Sequence, residues 1–267
     1  MARGEEKNED KLAQPHDLSE IVKKVRARTP ARLLAGRSGA AYRTSTQMEL
    51  REAHAAARDA VRAELNLLTD LGEDFVRQWN LLEISSQATS KDEYLMRPEL
   101  GRHLNDASRV EVNRRCTRGQ DLQVVIGDGL SVTAVATQVP RLLGLLCEGA
   151  RTRGWSVGAI AVIRYCRVGI LSEIGELLGP RVAVLLIGER PGLATAESLS
   201  AYMAYRPKAS DTDANRNLIS NIHARGESPE YAAQRILNLA ALMMKTRESG
   251  YQLREELPTE VVPARIP

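Results

Sequence analysis

The apolar and polar positions of this chain change their period several times, and the clearest signal is one unbroken apolar run. Residues 182–187 read Val-Ala-Val-Leu-Leu-Ile, a stretch rich in β-branched side chains. Such a run is typical of a strand that is buried on both faces, as in a parallel sheet covered by helices. Other stretches rich in apolar residues predict further strands at residues 81–84, 122–126, 157–165 and 201–205.

Apolar residues spaced as one helical face predict helices before and between these strands. The first helix begins at Asp17, a candidate N-cap, and ends before Pro30. The others cover residues 46–67, 105–117, 132–150, 174–178 and 231–247, whereas residues 207–228 are predicted to be irregular. Strands that alternate with helices imply right-handed crossovers. We therefore predict an α/β fold with a Rossmann-like, mostly parallel sheet flanked by helices, preceded by a helical N-terminal segment.

The same patterns predict how the chain is organised into domains. Residues 1–16 are highly charged and are predicted to be a mobile N-terminus, and residues 17–79 form the helical N-terminal segment. Residues 80–250 contain the alternating strands and helices and are predicted to be the Rossmann-like domain. Residues 251–267 are polar, contain three prolines and are predicted to be a tail.

Composition excludes several classes of function. The 37 basic and 34 acidic residues nearly balance, the basic residues are dispersed outside residues 23–32, and aromatic content is 4%. These features argue against a nucleic-acid partner, which needs a clustered basic surface and bases stacked on aromatic rings. Three cysteines without metal-type spacing predict reduced thiols and no metal site. No signal peptide or membrane span is recognisable, so we expect a cytoplasmic protein without a membrane partner.

Two predicted strands end in turns that could carry chemistry. Gly127-Asp128-Gly129 follows one strand and resembles the start of a dinucleotide fingerprint, but the third glycine is absent because position 132 is Val. Backbone N–H groups in such a turn can approach an anionic or amide-rich ligand at a helix N-terminus. Asp128 would repel a phosphate, which disfavours NAD. The alternative is a tight turn with no ligand.

The second turn, Gly188-Glu189-Arg190-Pro191-Gly192, follows the central strand. Ligands of open α/β sheets bind outside the carboxyl ends of strands, which makes Glu189 a candidate. The alternative is that Glu189 pairs with Arg190 or caps a helix.

A third candidate, residues 215–223, gathers three Asn, a Ser and a His in a predicted loop. Such loops bind ligands or satisfy their own backbone. The chain shows no Ser-His-Asp spacing, no Walker loop and no Asp-x-His-x-x-Gly motif, by which one class of cobalamin proteins offers a His to cobalt. We therefore predict no catalytic side chain and no metal ligand.

Several segments, spread in order between about residues 17 and 248, together resemble one family. They are residues 29–32 (Thr-Pro-Ala-Arg), 36–39 (Gly-Arg-Ser-Gly), 94–102 (Tyr-Leu-Met-Arg-Pro-Glu-Leu-Gly-Arg), 126–131 (Ile-Gly-Asp-Gly-Leu-Ser), 167–169 (Arg-Val-Gly), 174–176 (Ile-Gly-Glu), 186–193 (Leu-Ile-Gly-Glu-Arg-Pro-Gly-Leu), 197–199 (Glu-Ser-Leu) and 219–223 (Ile-Ser-Asn-Ile-His). In sequence and spacing they resemble the small (light) subunit of ethanolamine ammonia-lyase.

The resemblance implies an adenosylcobalamin-dependent enzyme that converts ethanolamine to acetaldehyde and ammonia by radical chemistry. It implies a barrel-shaped large subunit that holds the substrate and the upper face of the cofactor. The small subunit is implied to be Rossmann-like and to close over cobalamin from the other side, through residues 80–250. Cobalamin is implied to keep its own base on cobalt, which agrees with the missing His motif.

The cobalamin contacts implied by the resemblance fall on Val168, Glu189 and Leu218. Relatives have Cys at the position of Leu218, so a thiol contact is lost there while apolar packing is kept. Some relatives carry a longer N-terminal extension that is associated with a bacterial microcompartment, and encapsulation stays open here. Two other functions stay open at this stage: a stand-alone Rossmann-type oxidoreductase, and a non-enzymatic cobalamin carrier or scaffold.

Overall fold

The computed structural model describes residues 15–28, 33–34 and 36–255. The chain divides into two compact units, residues 1–53 and 54–267. Most of the predicted N-terminal and C-terminal tails, and residues 29–32, lie outside the described residues. The predicted boundary between residues 79 and 80 stays a prediction.

The first unit contains a helix, a small hairpin and the start of a second helix. These are α1 (Pro15–Ala27), β1 (Arg37–Ser38), β2 (Ala41–Tyr42) and the first half of α2 (Thr44–Arg62), with β1 and β2 antiparallel. The Arg26 guanidinium donates to the Leu33 and Leu34 carbonyls, at 3.2 and 3.0 Å. The predicted first helix is confirmed, but Asp17 lies in its first turn rather than at its N-cap.

The second unit is built on a six-stranded sheet with the strand order β3-β5-β4-β6-β7-β8. The strands are β3 (Leu82–Ser85), β4 (Leu122–Gly127), β5 (Ala161–Arg164), β6 (Val182–Gly188), β7 (Leu199–Tyr205) and β8 (Asn217–Ile222). Neighbours from β3 to β6 are parallel, whereas β6, β7 and β8 are antiparallel. The carboxyl ends of the four parallel strands β3, β5, β4 and β6 therefore lie on the same side of the sheet.

The helices of this unit connect and cover the strands. They are the second half of α2, α3 (Leu67–Asp70), α4 (Glu73–Gln78), α5 (Lys91–Met96), α6 (Asp106–Arg115), α7 (Val132–Thr152), α8 (Ile170–Leu178) and α9 (Pro229–Thr246). Serine side chains cap the two longest: Ser131 accepts from the Ala134 N–H and Ser228 from the Tyr231 N–H, each at 3.2 Å. In the part of the chain that the structure describes, no helix has the length and apolar character to span a membrane.

Strand β6 lies at the centre of the core, and all seven of its residues are buried. Val182, Val184 and Leu186 face the layer formed by α7 and α9. Ala183 and Leu185, with the opposite orientation, pack in the layer of α6 and α8. Because successive side chains of a strand point to opposite faces, an unbroken apolar run is what a two-sided core requires. This confirms the prediction for residues 182–187.

The predicted α/β class is confirmed. The sheet, predicted to be mostly parallel, is mixed: β3, β5, β4 and β6 are parallel, and β7 and β8 extend them by antiparallel pairing. A Rossmann-like topology is not confirmed. Residues 189–198 and 206–216 join β6 to β7 and β7 to β8 without an α-helix, and such short connections suit antiparallel pairing, because a parallel crossover needs a dozen or more residues. The prediction that residues 207–228 are irregular is wrong for residues 217–222, which form β8.

Candidate functional site

A cavity of about 470 Å³ opens where β6 ends, beside the turns that follow β4 and β5. Val168, Glu189 and Leu218 all line it, although they come from three separate segments of the chain. Apolar side chains of Leu130 and Ile187 form another part of its wall. The structure thus brings all three predicted site residues to one cavity, of a size usual for ligand sites.

Glu189 is held by the ends of three strands. Its carboxylate accepts hydrogen bonds from the Ser198 and Ser200 hydroxyls and, at 3.0 Å, from the Asn221 N–H. Within the described residues Glu189 forms no ion pair with Arg190 and caps no helix, so the alternative interpretation of its role is wrong. A carboxylate can accept about four hydrogen bonds. Glu189 is therefore a fixed acceptor with capacity left for a ligand.

Leu218 lies on an exposed part of the sheet. Its register partner is Tyr202 of β7, and its side chain is 46% exposed. Ser200 and Ser220 line the same cavity beside it. The opposite face of these strands is buried, for instance through Ala201 and Ile219. The exposed face of β7 and β8 next to Glu189 therefore carries both apolar and hydroxyl groups.

Val168 lies in the turn between β5 and α8, directly after Arg167. The Arg167 guanidinium stacks on the Tyr94 ring, with 4.3 Å from Cζ to the ring centroid. Arg167 Nε is buried and has no hydrogen-bond partner among the described residues. Burying a donor without a partner is costly, so this atom indicates a site for an acceptor.

The turn after β4 does not expose its carboxylate to the cavity. Asp128 is 1% exposed and accepts from the Tyr165 and Cys166 N–H groups at 2.8 and 2.9 Å. Burial raises the pKa of Asp128, and the charge of Lys91 opposes that shift. Burial lowers the pKa of Lys91, whose ammonium donates to the Gly129 carbonyl at 3.2 Å. The sequence-based expectation that Asp128 repels a ligand phosphate is therefore wrong, because its side chain faces the protein interior.

Gly129, in the same turn, has a φ of +57° and touches the end of β6. The Leu130 N–H donates to the Gly188 carbonyl at 3.1 Å. A side chain on Gly129 would overlap that same carbonyl oxygen. Gly129 thus permits a close approach of two backbone segments, which leaves no room for a pyrophosphate between them.

A larger cavity, of about 790 Å³, adjoins the first. The two cavities share Arg167 and Val168. Charged side chains line the larger one, among them Arg102, Glu173 and Arg216. This cavity was not predicted from the sequence. Its only sequence signal was the resemblance of residues 94–102 and 167–169, since the residues that meet here are about 65 positions apart in the chain.

His223 supports the strand that holds Glu189. The Arg225 N–H donates to its Nδ1 at 3.2 Å, so Nε2 carries the proton and donates to the Asn221 side-chain oxygen at 2.8 Å. The ring is 2% exposed, and burial lowers the pKa of His223, helped by the charge of Arg225 and opposed by Glu189 and Glu197. A second proton on Nδ1 would face the Arg225 N–H.

We expect this histidine to make the protein less stable in mild acid. Because its folded-state pKa lies below the ordinary value of 6.5, the unfolded state takes up the proton first, and stability is lost as pH falls below that value. Urea unfolding at a series of pH values measures the effect. His223→Gln should reduce the slope between pH 7 and 5, and an unchanged slope in this variant would contradict the assignment.

The described residues contain no group of three or more His, Cys, Asp or Glu side chains arranged to hold a metal ion. The three cysteines are free thiols and are buried. The polar groups at the first cavity are hydroxyls, a carboxylate, two guanidinium groups and backbone amides. Such a set suits binding of a large polar molecule through many hydrogen bonds.

Comparison with known proteins gives a consistent result. Residues 19–254 match the family Ethanolamine ammonia-lyase light chain. An ethanolamine ammonia-lyase small subunit of Clostridium perfringens is 39% identical over 235 residues, which is 88% of this chain and 78% of the relative. The corresponding small subunits of Clostridium acetobutylicum (35%, covering 92% and 99%) and Fusobacterium nucleatum (38%, covering 89% and 82%) are also similar.

Proposed function

Because the chain belongs to the ethanolamine ammonia-lyase light-chain family, we propose that the cavity at the end of β6 binds adenosylcobalamin at the interface with a large subunit. As a small subunit it is a lyase component and implies a large-subunit partner. The observation that carries the proposal is the position of Val168, Glu189 and Leu218 around one cavity.

The chemistry of this cavity suits cobalamin. The edge of the corrin ring carries amide side chains, which need hydrogen-bond acceptors, and Glu189 and the hydroxyl oxygens of Ser200 and Ser220 can accept. The ring itself is largely apolar, and Val168 and Leu218 offer apolar contact. No histidine is among the described residues that line this cavity.

Bound adenosylcobalamin supplies the radical chemistry that converts ethanolamine to acetaldehyde and ammonia. The protein residues contribute binding, orientation and exclusion of water. Glu189 orients the ring through its amides, and its own position is set by Ser198, Ser200 and Asn221. The open face of β7 and β8 leaves room for a partner subunit to complete a dry site. We assign no catalytic side chain to this chain.

The closeness of Gly129 and Gly188 argues against the dinucleotide-dependent oxidoreductase. That function needs a pyrophosphate at the first glycine-rich turn, and the backbone of β6 lies against it here. The non-enzymatic carrier differs from the lyase in not needing a large subunit for its function.

Co-expression with an ethanolamine ammonia-lyase large subunit tests the proposal. We expect acetaldehyde to form only when both subunits and adenosylcobalamin are present. Cofactor binding by this chain alone, without a complex with the large subunit, would favour the carrier. The absence of a complex, together with NAD bound by this chain alone, would favour the oxidoreductase.

Glu189→Gln is expected to lower the affinity of the complex for adenosylcobalamin by roughly tenfold to a hundredfold. A hydrogen bond to a charged group contributes about 1.5–3 kcal/mol, and the amide is a weaker acceptor. Assembly of the subunits should persist. Equilibrium dialysis of the cofactor measures the change.

Glu197→Gln is the matched control, since Glu197 is exposed in the same loop and does not line the cavity. Equal affinities of the wild-type and Glu189→Gln complexes would remove Glu189 from the site.

A further inference from the structure

Arg167 lies where the two cavities meet, and Arg102 lines the larger one. The side chain of each arginine packs on a glycine close to the other arginine in the chain. The Arg102 stem crosses Gly169, where an added Cβ would come within 2.9 Å of Arg102 Cγ. The Arg167 stem crosses Gly101, where an added Cβ would come within 2.6 Å of Arg167 Cγ. The Arg167 N–H also donates to the Gly101 carbonyl at 2.8 Å. This reciprocal packing places the stem of each arginine against the segment that carries the other.

The two guanidinium groups have unused donors. Among the described residues, the Arg102 guanidinium makes no hydrogen bond and no ion pair. Arg167 has only a long bond of 3.4 Å to the Tyr94 carbonyl, and its Nε is buried without a partner. Arg102 is exposed and Arg167 is partly buried, and both line the larger cavity. Two cationic side chains with free donors in one cavity favour an anionic ligand.

The backbone beside them adds donors of the same kind. Val168 and Gly169 lead into α8, a nine-residue helix, and within the described chain their N–H groups have no hydrogen-bond partner. Free N–H groups at a helix N-terminus favour phosphate and similar anions. Both residues line the larger cavity, as do Arg102 and Arg167.

The acidic residues of the larger cavity are occupied or distant. Glu173 pairs with Arg109 and accepts from the Leu104 N–H, and Asp213 pairs with Arg216. Glu176 lies seven residues after Gly169, about 10 Å further along the helix axis at 1.5 Å per residue. Asp211 accepts from the Lys208 N–H. The N-terminal end of α8 is therefore the positive end of this cavity.

We propose that Arg102, Arg167 and the N–H groups of Val168 and Gly169 form a phosphate subsite that takes the phosphodiester of the cofactor's nucleotide tail. The inference rests on the proposed function, since Arg167 and Val168 line both cavities. The phosphodiester is the single anionic group of the free cofactor, whose ring periphery is made of neutral amides. Guanidinium groups suit it because they bind two phosphate oxygens at once. A free phosphate ion has the same chemistry and is the other source that must be distinguished.

The test compares cobalamin with cobinamide, which lacks the nucleotide and its phosphate. The full chain is assembled with a large subunit, and dissociation constants are measured by equilibrium dialysis for wild type, Arg102→Gln and Arg102→Lys. We expect Arg102→Gln to weaken cobalamin binding roughly tenfold and to change cobinamide binding less than about twofold. Arg102→Lys should restore part of the affinity. Arg114→Gln is the control, because Arg114 is exposed, pairs with Glu111 and lines neither cavity.

The outcomes separate the two proposals. An assembly that binds neither cobalamin nor cobinamide would refute the proposed function. If wild type binds cobalamin and cobinamide normally, and Arg102→Gln changes the binding of both equally or of neither, the subsite alone is refuted.

Titration of the wild-type assembly with inorganic phosphate distinguishes the source of the phosphate. Arg102-dependent phosphate binding that does not compete with cobalamin would mean a site for free phosphate and would overturn the assignment to the cofactor's tail.

Discussion

Asp128→Ala is expected to reduce the free energy of unfolding by about 3–5 kcal/mol, the cost of removing one partner from a buried charged network. The Asp128 carboxylate is the acceptor for the Tyr165 and Cys166 N–H groups, and both would lose their partner. Lys91, which is 5% exposed, would lose its nearby negative charge. Tyr165 has a φ of +55°, a conformation that needs support from its surroundings. Urea unfolding of the full chain measures the loss.

Two further variants make this result specific. Asp59→Ala is the control, because the Asp59 side chain is 75% exposed in α2, and a change within about 0.5 kcal/mol is expected. Lys91→Met in the Asp128→Ala background removes the uncompensated ammonium. The double variant should therefore lose less stability than the two single variants added together. A loss below about 1 kcal/mol for Asp128→Ala would show that the network is not needed for folding.

Gly188→Ala is expected to destabilise the protein by roughly 3 kcal/mol or more, at the upper end of what an overpacked methyl group costs. An added Cβ would overlap the Ser131 carbonyl oxygen and would lie 2.9 Å from the Asp128 carbonyl oxygen. These are backbone atoms of the turn before α7, so no rotation of a side chain can relieve the overlap. Thermal or urea unfolding measures the effect, and cofactor binding should fall with it because Glu189 is the next residue.

Gly144→Ala provides the matched control. Gly144 lies inside α7, and an added Cβ would meet nothing within 4 Å. Alanine is favoured over glycine in a helix interior by about 1 kcal/mol, so this variant should be as stable as wild type or more stable. If both glycine variants behaved alike, the close approach of β6 and the turn after β4 would not be the reason that Gly188 is required.

The residues of the proposed site were found from the sequence to different extents. Val168, Glu189 and Leu218 were named from the resemblance, and Glu189 also from its place after a buried strand. Arg102, Arg167 and Tyr94 lay within resembling segments, but nothing in those segments showed that they meet. Arg167 packs on Gly101, and Arg102 packs on Gly169. These contacts join distant parts of the chain, so the separate segments do not reveal them.

Strand β8 shows why part of the fold could not be predicted. Its buried residues include Ile219 and Ile222, three positions apart, whereas a regular strand places one face at every second position. A register irregularity opposite Leu199 and Ala201, and a φ of +62° at Asn221, account for the change. Leu218 and Ser220 are exposed on the other face of β8, and the segment has the composition of a loop.

The sequence by itself determined the α/β class, the central strand β6 and the position of Glu189 after it, because burial on both faces requires an unbroken apolar run and a turn must follow it. The family also follows from sequence. Only the tertiary structure decided the antiparallel half of the sheet, the inward orientation of Asp128 and the junction of the two cavities at Arg167. Each of these features depends on contacts between distant parts of the chain. Neither the spacing of apolar residues within a segment nor the residue types in it predict such contacts.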